Sequence, residues 1–182
     1  MAGGLAALLG GIVSLVAALE VGSDAAIVTV PLLLAGLGVG ALASQLGAVT
    51  VSSMPDELSG EVGGIQNTAT NLGASLGTAL AGSVLIGALT ATFLSGIDAN
   101  PDVPDEVAAS AEVELAGGVP FVSDADLEGA LADAGVTGAT AEAVTDANES
   151  ARIDALRMSL TVLAGIAVLA LFFTRLLPAG RR

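Results

Sequence analysis

Long apolar runs without charged side chains dominate the pattern of hydrophobic and polar positions along the chain. They cover residues 1–19, 25–51 and 62–95, and a fourth lies between Arg157 and Arg175. A helix rises 1.5 Å per residue, so roughly 20 residues cross a bilayer core of about 30 Å. The first three runs are long enough, and Arg157 and Arg175 can snorkel from the ends of the fourth. The pattern predicts an all-α integral membrane protein with four transmembrane helices.

The composition supports lipid as the main solvent of the chain. Of its 182 residues, 53% are hydrophobic and only 13% are charged, whereas soluble domains carry about 25% charged residues. The mean hydropathy is +0.83. The chain has no Trp and no Tyr, so the usual aromatic belt at the membrane interface is missing.

Three segments are predicted. Residues 1–95 form the first three transmembrane helices, residues 96–150 form a long acidic extracellular loop between helices 3 and 4, and residues 151–182 form the last helix with a basic tail. Most of the 19 Asp and Glu residues lie between Asp98 and Glu149. Short helices are expected inside this loop, because Leu127, Ala130, Leu131 and Ala134 recur at helical spacing. Asp124 and Asp126 suit the first turn of such a helix.

The arginines predict the orientation in the cell membrane. Arg175, Arg181 and Arg182 follow the last span, which predicts a cytoplasmic C-terminus. Four crossings then place the N-terminus in the cytoplasm and the acidic loop outside. Arg152 and Arg157 fall on the outer side against this rule, among acidic neighbours. The first run has no basic segment before it, so we expect a span rather than a cleaved signal peptide.

Charge and residue usage exclude several classes of function. The net charge of −14 and the lack of a basic patch argue against a nucleic-acid partner. The chain has no His and no Cys, which removes the commonest metal ligands, so no metal and no cofactor are expected. Asp124-Ala125-Asp126 lacks the further spacing of a calcium loop, and a solvated acidic loop is the favoured interpretation. An acid-rich chain without Lys also suggests a halophilic source.

No catalytic motif is recognisable, and we expect no enzyme. The chain contains no P-loop, no G-x-S-x-G and no His-based set. The alternating glycines Gly36, Gly38 and Gly40 lie inside an apolar span without a preceding strand, so they do not indicate a nucleotide site.

The third span carries a polar face. Asn67, Asn71, Ser75 and Thr78 recur at i, i+4, i+8 and i+11, and Gln45 adds an amide in the second span. Polar groups are costly in hydrocarbon, so this face must contact another helix or line a substrate pathway. Both interpretations stay open. In the same helix Gly73 and Gly77 form a G-x-x-x-G pair, as do Gly36 and Gly40 in the second span, which predicts close helix packing.

One segment around the start of the third span is similar to a known pattern. It begins Pro55-Asp56-Glu57-Leu58-Ser59-Gly60 and continues through Gly64, Asn67-Thr68, Leu72-Gly73 and Leu76-Gly77. It resembles the cytoplasmic loop and the following helix near the C-terminus of major facilitator superfamily transporters, in the fourteen-helix drug:proton antiporter branch. Pro55, Glu57 and Gly60 occupy the loop motif, and Leu58 stands where a basic residue is common. Members of that branch also have a long external loop between their last two helices.

The resemblance implies the C-terminal four-helix fragment of a multidrug-type secondary transporter, which expels small molecules in exchange for protons. Expected partners are the lipid bilayer, the missing transporter helices or a partner membrane subunit, and a small-molecule substrate. No Asp or Glu lies near the middle of a span, so a proton-coupling carboxylate would lie outside this chain. The alternative is a small stand-alone multi-pass membrane protein that assembles through its Gly-rich helix faces without transport activity.

Overall fold

The chain folds into helices throughout its described part. A computed structural model describes residues 1–20, 25–52, 59–115 and 122–174. The helices in these ranges are α1 (Ala2–Ala18), α2 (Thr29–Ser52), α3 (Ser59–Asp98), α4 (Asp105–Leu115), α5 (Asp124–Asp133) and α6 (Ala139–Thr174). A 3-10 turn, Ala25–Val28, leads into α2, and no residue of the described ranges is in a strand. The predicted all-helical class is confirmed.

Three helices are long and apolar enough to cross a membrane. The candidate spans are Ala26–Gly47, which includes most of α2, Gly60–Asp98 in α3 and Ala139–Thr174 in α6. The first helix is apolar too, but it is only 17 residues long. The structure therefore supports a membrane protein with three candidate spans.

The last long helix starts earlier than the predicted span. α6 begins at Ala139, inside the segment predicted as an acidic loop with short helices. Its first half places Ala143, Val144, Ala151 and Ala155 in the core, while its acidic side chains lie on other faces. The acidic residues of this stretch indicate contact with solvent, but its apolar residues keep helical spacing. The helix therefore extends through the stretch, with its apolar face in the core.

Two compact units divide the chain: Met1–Ala81 with Leu160–Arg182, and Gly82–Ser159. In the first unit α1 and α2 pack at their glycines. A Cβ atom added to Gly11 would lie 2.7 Å from the Cα of Ala35, and one added to Gly38 would lie 2.7 Å from the Cα of Leu8. Neither neighbour can yield, because both are backbone atoms. The two helices approach this closely because glycine occupies both positions.

The second unit is a small helical domain built from the end of α3, α4, α5 and the first part of α6. Its apolar core is contributed by Ala88, Leu89, Phe93, Ile97, Val103, Ala143, Val144, Ala151 and Ala155. Ile97 is 1% exposed and Leu89 is 2% exposed. The Thr140 hydroxyl donates to the carbonyl of Asp102 at 2.8 Å, which connects the start of α6 to the turn before α4.

Local signals fix both ends of α5. The Ser123 hydroxyl accepts from the Asp126 backbone N–H at 3.2 Å, which caps the start of the helix, and it donates to the Asp126 carboxylate at 2.6 Å. Asp124 and Asp126 lie in the first turn, as the sequence predicts. At the other end Gly135 has φ +76°, and the Val136 N–H donates to the Leu131 carbonyl at 2.8 Å, which closes the helix in a Schellman turn.

Candidate functional site: the polar face of α3

The first half of α3 brings the predicted polar residues onto one side of the helix. Each residue turns the helix by about 100°, so Asn67, Asn71, Ser75 and Thr78 form a narrow stripe. All four side chains are exposed in the described structure. The stripe is continuous over roughly three turns of helix, which is about half the thickness of a bilayer core.

The opposite side of the same half-helix is apolar and equally open. Ile65 is 71% exposed, Leu72 is 59% exposed and Leu76 is 62% exposed. These side chains lie at i, i+7 and i+11, on the side away from Asn67 and Asn71. This part of α3 therefore has one face suited to lipid and one face that lipid would not solvate.

The polar side chains bond mainly within their own helix. Asn71 Nδ2 donates to Asn67 Oδ1 at 3.4 Å, and the Thr68 and Thr70 hydroxyls donate to the carbonyls of Gly64 and Gln66 at 3.0 and 2.9 Å. A carboxamide offers two N–H donors and one carbonyl acceptor. The single long contact between Asn67 and Asn71 uses only part of this capacity, so the stripe retains donors and acceptors for another helix or a ligand.

Gln45 in α2 has a buried carbonyl oxygen. Its Oε1 has no hydrogen-bond partner among the described residues. A buried acceptor without a donor costs free energy on the order of 1–3 kcal/mol, which favours a donor supplied from outside these helices. No hydrogen bond within the described ranges joins Gln45 to the stripe on α3, so a shared site of the two remains a prediction.

The four glycines predicted to pack helices face open space. A Cβ atom added to Gly36, Gly40, Gly73 or Gly77 would meet no described atom within 4 Å. Their contact with a further helix remains a prediction. The closest contacts at glycines of the described structure are at Gly11 and Gly38, which we did not predict as packing positions. Gly38 stands between the two predicted glycines of α2, and only the placement of α1 distinguishes it from them.

The loop motif is only partly within the described residues. Pro55 and Glu57 lie outside them, as do Arg175, Arg181 and Arg182 of the predicted basic tail. Gly60 is the second residue of α3 and has no described atom near its Cβ position. Glu61 follows it in the first turn of α3, where a carboxylate interacts favourably with the helix dipole.

The chemistry available on this face is binding rather than proton transfer. The stripe contains only neutral amides and hydroxyls, and the acids of α3 within the span are Glu61 and Asp98 at its two ends. Across the described ranges no group of three or more acidic side chains is placed to hold a metal ion. Comparisons with protein-family models, with curated proteins and with solved structures find no match for the chain.

Proposed function

We propose that the chain is the C-terminal segment of a multidrug-type secondary active transporter, which moves small molecules out of the cell in exchange for protons. The observation that carries this proposal is the open polar face of α3 opposite an apolar face. A helix with such a division has lipid on one side and requires protein or a water-filled cavity on the other.

The helices of this chain supply only part of a transporter. Alternating access needs two bundles that rock around a central site, and four helices amount to a portion of one bundle. The polar face of α3, the glycines at positions 73 and 77 and the buried carbonyl oxygen of Gln45 are the contacts that the remaining helices would complete. The titrating carboxylate would come from those helices too, since the stripe contains none.

The proposal includes four spans, with cytoplasmic termini. α1 is about 26 Å long at 1.5 Å per residue, close to the thickness of a bilayer core. α3 and α6, with 40 and 36 residues, are far longer than the roughly 20 residues that a crossing needs. Part of the excess length of both helices lies in the Gly82–Ser159 unit, and we place the acidic segment 96–150 outside the cell.

The first test is the size of the native polypeptide, measured with a C-terminal tag at the chromosomal locus. A product roughly three times the 17.5 kDa of this chain would supply the missing helices and support the transporter. A product near 17.5 kDa that purifies without a partner subunit would overturn the proposal and favour the small protein that assembles with itself.

The second test is proton-driven transport of a cationic dye such as ethidium in inverted membrane vesicles. Asn71→Leu removes the amide from the polar face, whereas Ala69→Leu adds the same side chain on the apolar side of the helix. We expect Asn71→Leu to reduce transport several-fold at equal expression and Ala69→Leu to leave it unchanged. Equal effects of the two variants would contradict the assignment of the faces.

Self-assembly is the rival function, and Gly73 separates it from transport. Gly73→Leu blocks the predicted packing position, while Gly87→Leu places the same side chain at another open glycine of α3. The native product could be a homo-oligomer that Gly73→Leu dissociates and Gly87→Leu leaves intact. Together with an absence of transport, that result would identify the chain as a small protein that assembles with itself.

A further inference from the structure

The second unit contains a cavity of about 320 Å³ between the end of α3, α4, α5 and the start of α6. Its inner wall includes Leu89, Phe93, Ile97 and Val144, all of which are buried. The volume falls in the range of ligand pockets, which begins at about 300 Å³. The cavity lies within one compact unit, and it is independent of the polar face of α3.

The lining is almost entirely hydrocarbon. Among the described residues that line the cavity none is charged, and Ser110 and Asn148 are the polar ones. Both already bond within the unit: the Ser110 hydroxyl donates to the Glu106 carbonyl at 2.8 Å, and Asn148 Nδ2 donates to Asp124 Oδ1 at 2.9 Å. The described lining therefore offers few free polar groups to water.

We propose that the second unit binds a neutral, apolar small molecule in this cavity. An apolar cavity of about 150 Å³ accommodates benzene, so about twice that volume accommodates a bicyclic aromatic or alicyclic molecule of about a dozen non-hydrogen atoms. A charged ligand is disfavoured, because none of the lining residues in the described ranges would compensate its charge. The site does not rest on the transport function and is tested separately from it.

The test uses this chain in lipid nanodiscs with single cysteines, since its 182 residues include none. Ala130→Cys places a thiol on the cavity lining, and Ala132→Cys places one on the same helix outside the lining; both positions are exposed. The measured quantity is the rate of alkylation by a water-soluble maleimide in the presence of 1-naphthol. We expect a saturable, several-fold slowing at position 130 and no change at position 132.

A filling variant identifies the cavity as the site. Ala111→Phe in the Ala130→Cys background occupies the lining of α4 and should abolish the protection. Ala109→Phe adds the same ring on an exposed side of α4 and should preserve it. Slowing that is equal at positions 130 and 132, or that grows linearly with naphthol, would overturn the proposal, because it would reflect partitioning into lipid.

A ligand series covers the case in which Ala111→Phe fails to fold. With Ala130→Cys alone, 1-naphthol should protect, whereas the charged 1-naphthalenesulfonate of similar size should give no protection, because no described lining side chain would compensate its charge. Equal protection by both compounds would contradict a site for a neutral, apolar ligand.

Discussion

Arg152 Nη1 donates to Asp124 Oδ2 at 2.8 Å and so connects the first turn of α5 to the middle of α6. The other oxygen of the same carboxylate accepts from Asn148, one turn earlier on α6. Asp124 also lies at the N-terminus of α5, where negative charge is favoured. An arginine that opposes the orientation expected from the positive-inside rule thus has a structural role in the acidic unit.

Removal of the Asp124 carboxylate should loosen α5. Asp124→Ala loses both hydrogen bonds and the charge at the helix start, and we expect a loss of about 1–3 kcal/mol in the stability of the unit. The lower half of this range is favoured, because the two side chains are 27% and 40% exposed. Hydrogen exchange of the α5 amides measures the change, at about tenfold in rate per 1.4 kcal/mol.

Asp133→Ala is the control for that measurement. It removes an exposed acid at the other end of α5, where a negative charge opposes the helix dipole. Its exchange rates should stay equal or become slightly slower. Faster exchange of α5 in both variants to the same degree would show that total charge, rather than the contacts of Asp124, sets the stability.

Two glycines of α2 should respond in opposite directions to the same substitution. Gly38→Ala places a methyl group against the backbone of Leu8, and overpacking of this kind costs about 1–3 kcal/mol. Gly36→Ala meets open space and should gain up to about 1 kcal/mol of helix propensity. Thermal unfolding of the chain in detergent, followed by circular dichroism, compares them. A melting temperature that rises in both variants would contradict the close packing of α1 and α2.

The contrast between these glycines shows what sequence pattern could and could not predict. Apolar runs and helical spacing predict the helical class, the acidic first turn of α5 and the polar stripe of α3, because each depends on neighbours within one helix. Gly36, Gly38 and Gly40 are equivalent by that criterion. Which of them contacts α1 depends on the packing of a separate helix, so spacing could not single out Gly38 for this contact.

The sequence pattern also could not predict polar contacts between residues far apart in the chain. Asp124 and Arg152 are 28 residues apart in the chain. Many pairings were available to the acidic side chains of this segment. The choice of Asp124 follows from the turn that carries α5 back onto α6, which includes glycines with positive φ at positions 135 and 138.

That turn should be sensitive to a single methyl group. Gly135 has φ +76°, a conformation that L-residues with a Cβ atom adopt at a cost of about 1 kcal/mol or more. Gly135→Ala should therefore destabilise the unit by about that amount. Gly129→Ala, inside α5 with open space around it, should stabilise by up to about 1 kcal/mol. Hydrogen exchange of the α5 amides measures the stability change in both variants. If Gly129→Ala destabilised the unit and Gly135→Ala did not, the C-terminal end of α5 before Gly135 would be wrong.

The division of α3 into a lipid face and a protein face predicts different surroundings for adjacent residues. Asn71→Cys and Leu72→Cys allow single spin labels on neighbouring positions of this chain, which has no Cys; the two positions lie about 100° apart, one on the polar stripe and one on the apolar face. In the native polypeptide, reconstituted in lipid, the label at position 72 should collide readily with dissolved oxygen, which concentrates in the bilayer. The label at position 71 should be at least several-fold less accessible to oxygen, because other helices or a water-filled cavity cover that face. Equal oxygen accessibility at the two positions would mean that both faces of α3 contact lipid, and the transporter function proposed from the polar face would lose its main support.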